Sequence, residues 1–156
     1  MLFRSLEGYC FPVTIHDESH ITIATLSMNT TQNYINKCVH YTKERETFGT
    51  TIDTYQTISF KIARMETRAH ATRTTYYDAA TLILSGKPFK KTAAVAKLIA
   101  NKTAMDNTHN ATQIFNEYGY MNEYLVAQHY RDNKILEINK DTTEVQLMLI
   151  AREADL

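Results

Sequence analysis

The 156-residue sequence has no tryptophan, only four glycines, two prolines and two cysteines. So few helix breakers leave long uninterrupted stretches, which points to long helices and away from a turn-rich β-fold. Cys10 and Cys38 make neither a disulfide framework nor a metal-ligand spacing. Cys38 falls on a helical stretch and reads as a small buried apolar group. A charge imbalance is missing as well, since 17 basic residues face 17 acidic ones. With no net field, neither nucleic acid nor an anionic membrane is an expected partner. No apolar run approaches the roughly 20 residues of a membrane span. Residues 1–6 are too short for a signal peptide, so none is expected. Neither a phosphate-binding glycine loop nor a Gly-x-Ser-x-Gly elbow occurs. The six histidines read as scattered and no Glu-x-x-His pair occurs, so no metal centre is expected in a helical core.

What is present is helical periodicity. Apolar residues make up 44% of the chain, enough for the core of one domain at this length. Residues 1–16 read as irregular, with a possible strand remnant around Gly8 and Pro12. Asp17 and Ser19 are expected N-caps for a first helix over 19–46. Its stripe is Ile23, Leu26, Thr30, Tyr34, Cys38 and Tyr41, spaced by threes and fours. Gly49 ends that segment. A second helix is expected over 51–85, with Ile58, Ile62, Met65, Ala69, Thr72, Tyr76, Ala79 and Ile83 inward, stopped by Gly86 and Pro88. A third, alanine-rich helix runs from about residue 90 to 118, before Gly119. A shorter helix over 123–136 follows. A last one over 141–152 packs Val145, Leu149 and Met148. The expected architecture is all-α, an up-down bundle with short connections.

The motifs, taken in order, carry more. Tyr41-Thr42-Lys43-Glu44-Arg45-Glu46-Thr47-Phe48-Gly49 resembles the signature Tyr-x-x-x-Arg-x-x-Phe-Gly of acyl-CoA dehydrogenases. The segment from Tyr55-Gln56 to Ala63-Arg64-Met65 is similar to the Gln-x-Ile-x-Phe-x-Leu-Ala-x-Met run that follows it there. Ala96-Lys97, Gln113-Ile114, Gly119-Tyr120, Tyr130-Arg131-Asp132-Asn133-Lys134-Ile135, Thr142, Gln146 and Ile150-Ala151-Arg152 match further family motifs at nearly the right spacing. The medium-chain branch looks most similar. The resemblance implies the four-helix C-terminal domain of that family with a short extra C-terminal helix, over residues 17–156. Residues 1–16 would then be the remnant of a join to a preceding β-domain.

The same resemblance implies flavin adenine dinucleotide (FAD) as cofactor and an acyl-CoA thioester as substrate. Similar subunits in a homo- or hetero-oligomer are implied too, in a mitochondrial matrix or bacterial cytoplasm. It places Arg45 near the cofactor diphosphate, where a planar guanidinium can meet phosphate oxygens. Phe48 falls at the adenine pocket and Gln113 at the adenosine. Thr142 falls at the flavin or the diphosphate, with Glu144 two residues further on among the cofactor-binding positions. Asp17, His20 and Asn139 fall near the substrate. The family base is a glutamate in a Tyr-Glu-Gly-Thr loop, which here reads Asn139-Lys140-Asp141-Thr142. Lys140 therefore holds the catalytic position, and an ordinary lysine is protonated at pH 7 and accepts no proton. Other departures accompany it. Ser19 stands where some branches carry the glutamate, and His20 replaces an arginine. Asn116 and Glu117 replace two glycines on the adenine side, and Asn29 replaces a mid-helix glycine, where crowding is expected. Two functions follow as expectations: a dehydrogenase domain whose chemistry is absent in this chain alone, or a non-catalytic helical oligomerisation subunit of such assemblies.

Overall fold

The structure, a computed structural model, describes residues 6–139 and 141–155, with side chains from residue 16 onward. Helix α1 spans Leu6–Glu44 and is 39 residues long. The expected irregular segment over 1–16 is thus corrected for residues 6–16, which are helical; residues 1–5 lie outside the described residues. Gly8 and Pro12 weaken a helical ladder but do not stop one that gains a bond with each added residue. Asp17 and Ser19 accordingly stand inside α1 and are not its N-caps. Ser19 Oγ instead donates to the His16 carbonyl at 2.6 Å, a back-bond within the helix.

After α1 the chain folds into a hairpin of two short antiparallel strands, β1 (Glu46–Thr47) and β2 (Thr50–Thr51). The two-residue turn is Phe48-Gly49, at φ 53° and 80°. Positive φ at both positions is the geometry that a tight hairpin requires. This hairpin and a 3-10 turn at Ile52–Thr54 take the residues expected to open the second helix, so α2 begins later, at Gln56–Leu84. Its end is a Schellman motif. Gly86 N–H donates to the Ile83 carbonyl at 2.9 Å and Lys87 N–H to that of Leu82 at 3.0 Å, with Gly86 at φ 65°.

Helix α3 (Lys90–Phe115) lies at the centre and touches every other long helix. Ala93, Ala94, Ala96, Ala100, Ala104 and Ala111 are all buried, so neighbouring backbones can come close to it. A one-turn α4 (Glu117–Tyr120) follows, where a Cβ on Gly119 would sit 2.7 Å from the Thr112 carbonyl oxygen. Helices α5 (Val126–Ile138) and α6 (Thr143–Arg152) complete the chain. The bundle is α1, α2, α3 and α5, with α6 as the short extra helix, which is the expected all-α architecture.

Two kinds of core join. Met28, Tyr34, Ile35, Cys38, Met65 and Phe115 belong to an apolar cluster. Beside it runs a polar ladder. Asn133 Nδ2 donates to Thr108 Oγ1 at 2.6 Å, and Thr30 Oγ1 donates to Asn133 Oδ1 at 3.0 Å. Ser27 Oγ donates to Asn101 Oδ1 at 2.8 Å, and Asn101 Nδ2 to the Leu136 carbonyl at 3.1 Å. The Asn101 and Asn133 amides are thereby satisfied, which spares the desolvation cost of a lone polar group. Three details differ from the periodic reading. Leu26 is 49% exposed, because the inward face of α1 runs through Ala24, Ser27, Met28 and Thr31. Asn29 is exposed, so no helix crowds it. Helix α6 buries Gln146 and leaves Val145 and Met148 outside.

Candidate functional site

The residues singled out in the sequence fall at two ends of the bundle. His16, Asp17 and His20 lie in the first half of α1, and Arg45 just beyond its last turn. Twenty-five residues of helix separate His20 from Arg45, roughly 37 Å at 1.5 Å per residue.

At the first end the organising residue is Lys97. It projects from α3 on the stripe of Ala93, Ala100 and Ala104 and is 1% exposed. Its Nζ donates to the carbonyls of Asn139 at 2.6 Å and Asp141 at 2.5 Å, which fastens the loop between α5 and α6. Burial lowers the pKa of this ammonium, while the Asp141 carboxylate opposes the shift. Lys140 lies outside the described residues, but the residues on either side of it are the two that Lys97 holds.

Asp141 has φ 74°, a left-handed conformation at the position where the family motif has glycine. Its carboxylate turns onto α1. Oδ2 stands 3.2 Å from His16 Nε2 and 3.3 Å from His20 Nε2. His20 is fully buried and also meets Gln146, Nε2 to Nε2, at 3.3 Å. Burial, then the positive charge of Lys97, then His16 push the His20 pKa below the ordinary 6.5, and Asp141 pulls the other way. Asp17 is buried beside this group, its carboxylate 3.9 Å from His16 Nδ1. Thr142 opens α6 and is exposed. The Glu144 carboxylate accepts from its own backbone N–H and from the Thr142 hydroxyl, which hold its pKa below the ordinary value. A cavity of about 270 Å³, lined by Lys97, Asn101, Glu137, Asp141 and Gln146, opens beside the loop.

At the second end Arg45 is exposed, its guanidinium carbon 5.6 Å from the centre of the Tyr118 ring. It lines a cavity of about 160 Å³ with Tyr41, Ile114, Phe115, Asn116 and Glu117. Among the described residues no carboxylate lies within ion-pair distance of Arg45. Phe48, at the hairpin tip, is 98% exposed. Gln113 is exposed on the last turn of α3.

The sequence reading grouped Thr142 and Glu144 with Arg45, Phe48 and Gln113 at the cofactor, and Asp17, His20 and Asn139 at the substrate; the structure puts Thr142 and Glu144 at the same end of the bundle as Asp17, His20 and Asn139. Arg45, Phe48 and Gln113 share the other. Lys97 and Gln146 were noted only as motif matches, and His16 and the bridging role of Asp141 were missed. His16 and His20 form a His-x-x-x-His pair, which the reading of scattered histidines passed over. Lys97 was signalled by its place on an alanine stripe. No local pattern joins His20 to Asp141, 121 residues apart.

Comparison with known proteins gives a consistent picture. Residues 13–154 match the family model described as acyl-CoA dehydrogenase, C-terminal domain. The short-chain specific acyl-CoA dehydrogenase of Megasphaera elsdenii is 40% identical over 149 residues, covering 96% of this chain and 39% of that protein. The mitochondrial short-chain specific acyl-CoA dehydrogenase of Homo sapiens is 35% identical over 144 residues, covering 92% and 35%. The solved structure of butyryl-CoA dehydrogenase from Megasphaera elsdenii superposes with a TM-score of 0.88 at 40% identity, over 90% of this chain and 37% of that one. These relatives carry short-chain names, where the sequence pattern pointed to the medium-chain branch. The chain spans about two fifths of the length of the curated relatives it matches.

Proposed function

The chain belongs to the acyl-CoA dehydrogenase family, and from that premise we propose that it supplies the helical part of an FAD-dependent site acting on the CH–CH bond of acyl-CoA thioesters, without itself taking the α-proton. The observation that carries this is the engagement of Asp141. In this reaction class a carboxylate must receive the α-proton as hydride leaves the β-carbon. Position 140 offers an ammonium in its place. The adjacent carboxylate, Asp141, faces two imidazoles of α1 and is turned away from the role of a free base.

The residues at the far end fit an anionic, aromatic-bearing cofactor. Arg45 is exposed, has no carboxylate within ion-pair distance among the described residues, and precedes the exposed Phe48 by three positions. Glu117 on the same cavity counts against a diphosphate. When bound, FAD would accept the hydride; Arg45 and Gln113 would hold its diphosphate and adenosine parts, and Thr142 its flavin side. Thr142 follows Asp141, which contacts His20, and His20 and Arg45 stand roughly 37 Å apart along α1, too far for a single dinucleotide to meet both ends. One cofactor site would therefore draw on two chains, which supports an oligomer of similar subunits. Ile135, Ile138, Leu147 and Met148, exposed on α5 and α6, provide apolar surface for such contacts. They also favour the second reading, a non-catalytic subunit that completes a partner's site. Among the described residues no helix is long and apolar enough to cross a membrane. A mitochondrial matrix or bacterial cytoplasmic setting belongs to the same proposal.

The test is a chimera in which this chain follows the preceding domains of the Megasphaera elsdenii relative. The chimera is expected to purify yellow and to leave butyryl-CoA unchanged, and Lys140→Glu is expected to confer flavin reduction by that substrate. Turnover by the unmodified chimera would overturn the proposal. So would a flavin-loaded Lys140→Glu chimera that stays inert.

A further inference from the structure

The junction of α1 with the α5–α6 loop gathers several lone pairs around one imidazole nitrogen. His16 and His20 are four residues apart, so both imidazoles leave the same face of α1. One carboxylate oxygen, Asp141 Oδ2, approaches both Nε2 atoms, at 3.2 and 3.3 Å. The Gln146 side-chain amide, 1% exposed, meets the same His20 Nε2 at 3.3 Å. Gln146 Oε1 is buried with no hydrogen-bond partner among the described residues.

With the Gln146 amide as placed, no position of the His20 proton satisfies both contacts of Nε2. If His20 Nε2 carries a proton for Asp141, the Gln146 amide N–H faces another N–H. If it carries none, it can accept from Gln146, but the carboxylate then faces a lone pair. Turning the amide end for end brings the orphan Oε1 to the imidazole, an assignment that heavy-atom positions leave open. Two oxygens and a ring nitrogen then converge on one proton, shared as a long bifurcated bond. A cation in its place would take every converging atom as a ligand.

We propose that His16 Nε2, His20 Nε2 and Asp141 Oδ2 form a binding site for a zinc-type divalent cation, with Gln146 Oε1 as a fourth, neutral ligand. The three principal atoms lie within 4.8 Å of one another. In a tetrahedral centre with bonds of about 2.0–2.2 Å, neighbouring ligand atoms stand roughly 3.3 Å apart. Both histidine–aspartate separations already have that value. The remaining one closes by rotation of His16, whose side chain is 42% exposed. Two imidazoles with a carboxylate suit zinc and its first-row neighbours better than magnesium or calcium, which favour all-oxygen shells. The 270 Å³ cavity, lined in part by Asp141 and Gln146, offers an entry path. Lys97 acts against the ion by its charge, but its ammonium is directed to the Asn139 and Asp141 carbonyls. The site needs neither flavin nor thioester, so it stands apart from the reading above.

The experiment uses the full chain, stripped with chelator and titrated with zinc chloride by calorimetry, and with cobalt(II) as an absorbing probe. One ion per chain is expected, with visible cobalt bands of a four- or five-coordinate centre. His16→Ala and Asp141→Asn should each weaken binding by more than the roughly 10–100-fold lost with an outer-shell partner, with unchanged circular dichroism. His20 is fully buried and its removal can unfold the chain, so partly exposed His16 carries the test. Absence of saturable binding would overturn the proposal. So would binding undiminished in His16→Ala and Asp141→Asn, which would locate the ion elsewhere.

Discussion

Asn116 shows what a departure from the family turn costs at the level of one residue. It joins α3 to α4 at φ 54°, ψ −128°, a conformation in which glycine is at ease and a Cβ is strained. Asn116→Gly is expected to raise stability by about 1 kcal/mol, the strain relieved exceeding the added freedom of the unfolded chain. A shift of the urea midpoint at constant slope measures it. Cys38 gives a pH-dependent counterpart. Burial pushes its thiol from the ordinary 9.0 up to about 12. Between those values the unfolded chain has lost a proton that the folded chain keeps. Stability contributed by the thiol is therefore complete below pH 9 and falls as pH rises toward 12. Unfolding curves across that range should be steeper in pH for the native sequence than for Cys38→Ala. Equal slopes would show that the thiol ionises alike in both states.

Elements are where the sequence spoke most clearly, and where its silences have physical causes. The spacing of Met65, Ala69, Thr72 and Ala79 marked the buried face of α2, and the Gly86-Pro88 pair marked its end. The start of α1 was misread because Asp17 and Ser19 have the chemistry of caps while the backbone before them is already helical. The hairpin was missed because Phe48 carries a positive φ that its residue type does not announce. The polar ladder was invisible for a different reason. Thr30, Asn101, Thr108 and Asn133 interrupt no helix, and only packing reveals that Asn133 meets Thr108 and Thr30 and that Asn101 meets Ser27. The ladder makes α5 depend on α1 and α3. Asn133→Ala leaves the Thr108 and Thr30 hydroxyls without that partner in the interior, and should cost about 1–3 kcal/mol. A loss well under that range in thermal unfolding would mean that water replaces the amide.

For the whole molecule, the fold was legible in the sequence and the site only by halves. The ordered motifs brought each half to notice, but neither half predicts its distance from the other. That distance is set by the unbroken run of α1 from His20 to Glu44. The cluster of His16, His20, Asp141 and Gln146 was hidden more deeply, since its members come from α1, the α5–α6 loop and α6.

Opposite placement along one helix has a consequence in genetics. If two chains share each flavin, lesions at the two ends need not be additive. An assembly carrying Arg45→Ala in one chain and Thr142→Ala in another pairs a sound far end with a sound near end at some of its shared sites. Co-expression of the two defective alleles, each in the chimeric background, should recover flavin binding that neither allele shows alone. A single chain bearing both changes should recover none. Such rescue between alleles, scored by flavin content per chain, would trace the shared site through heredity.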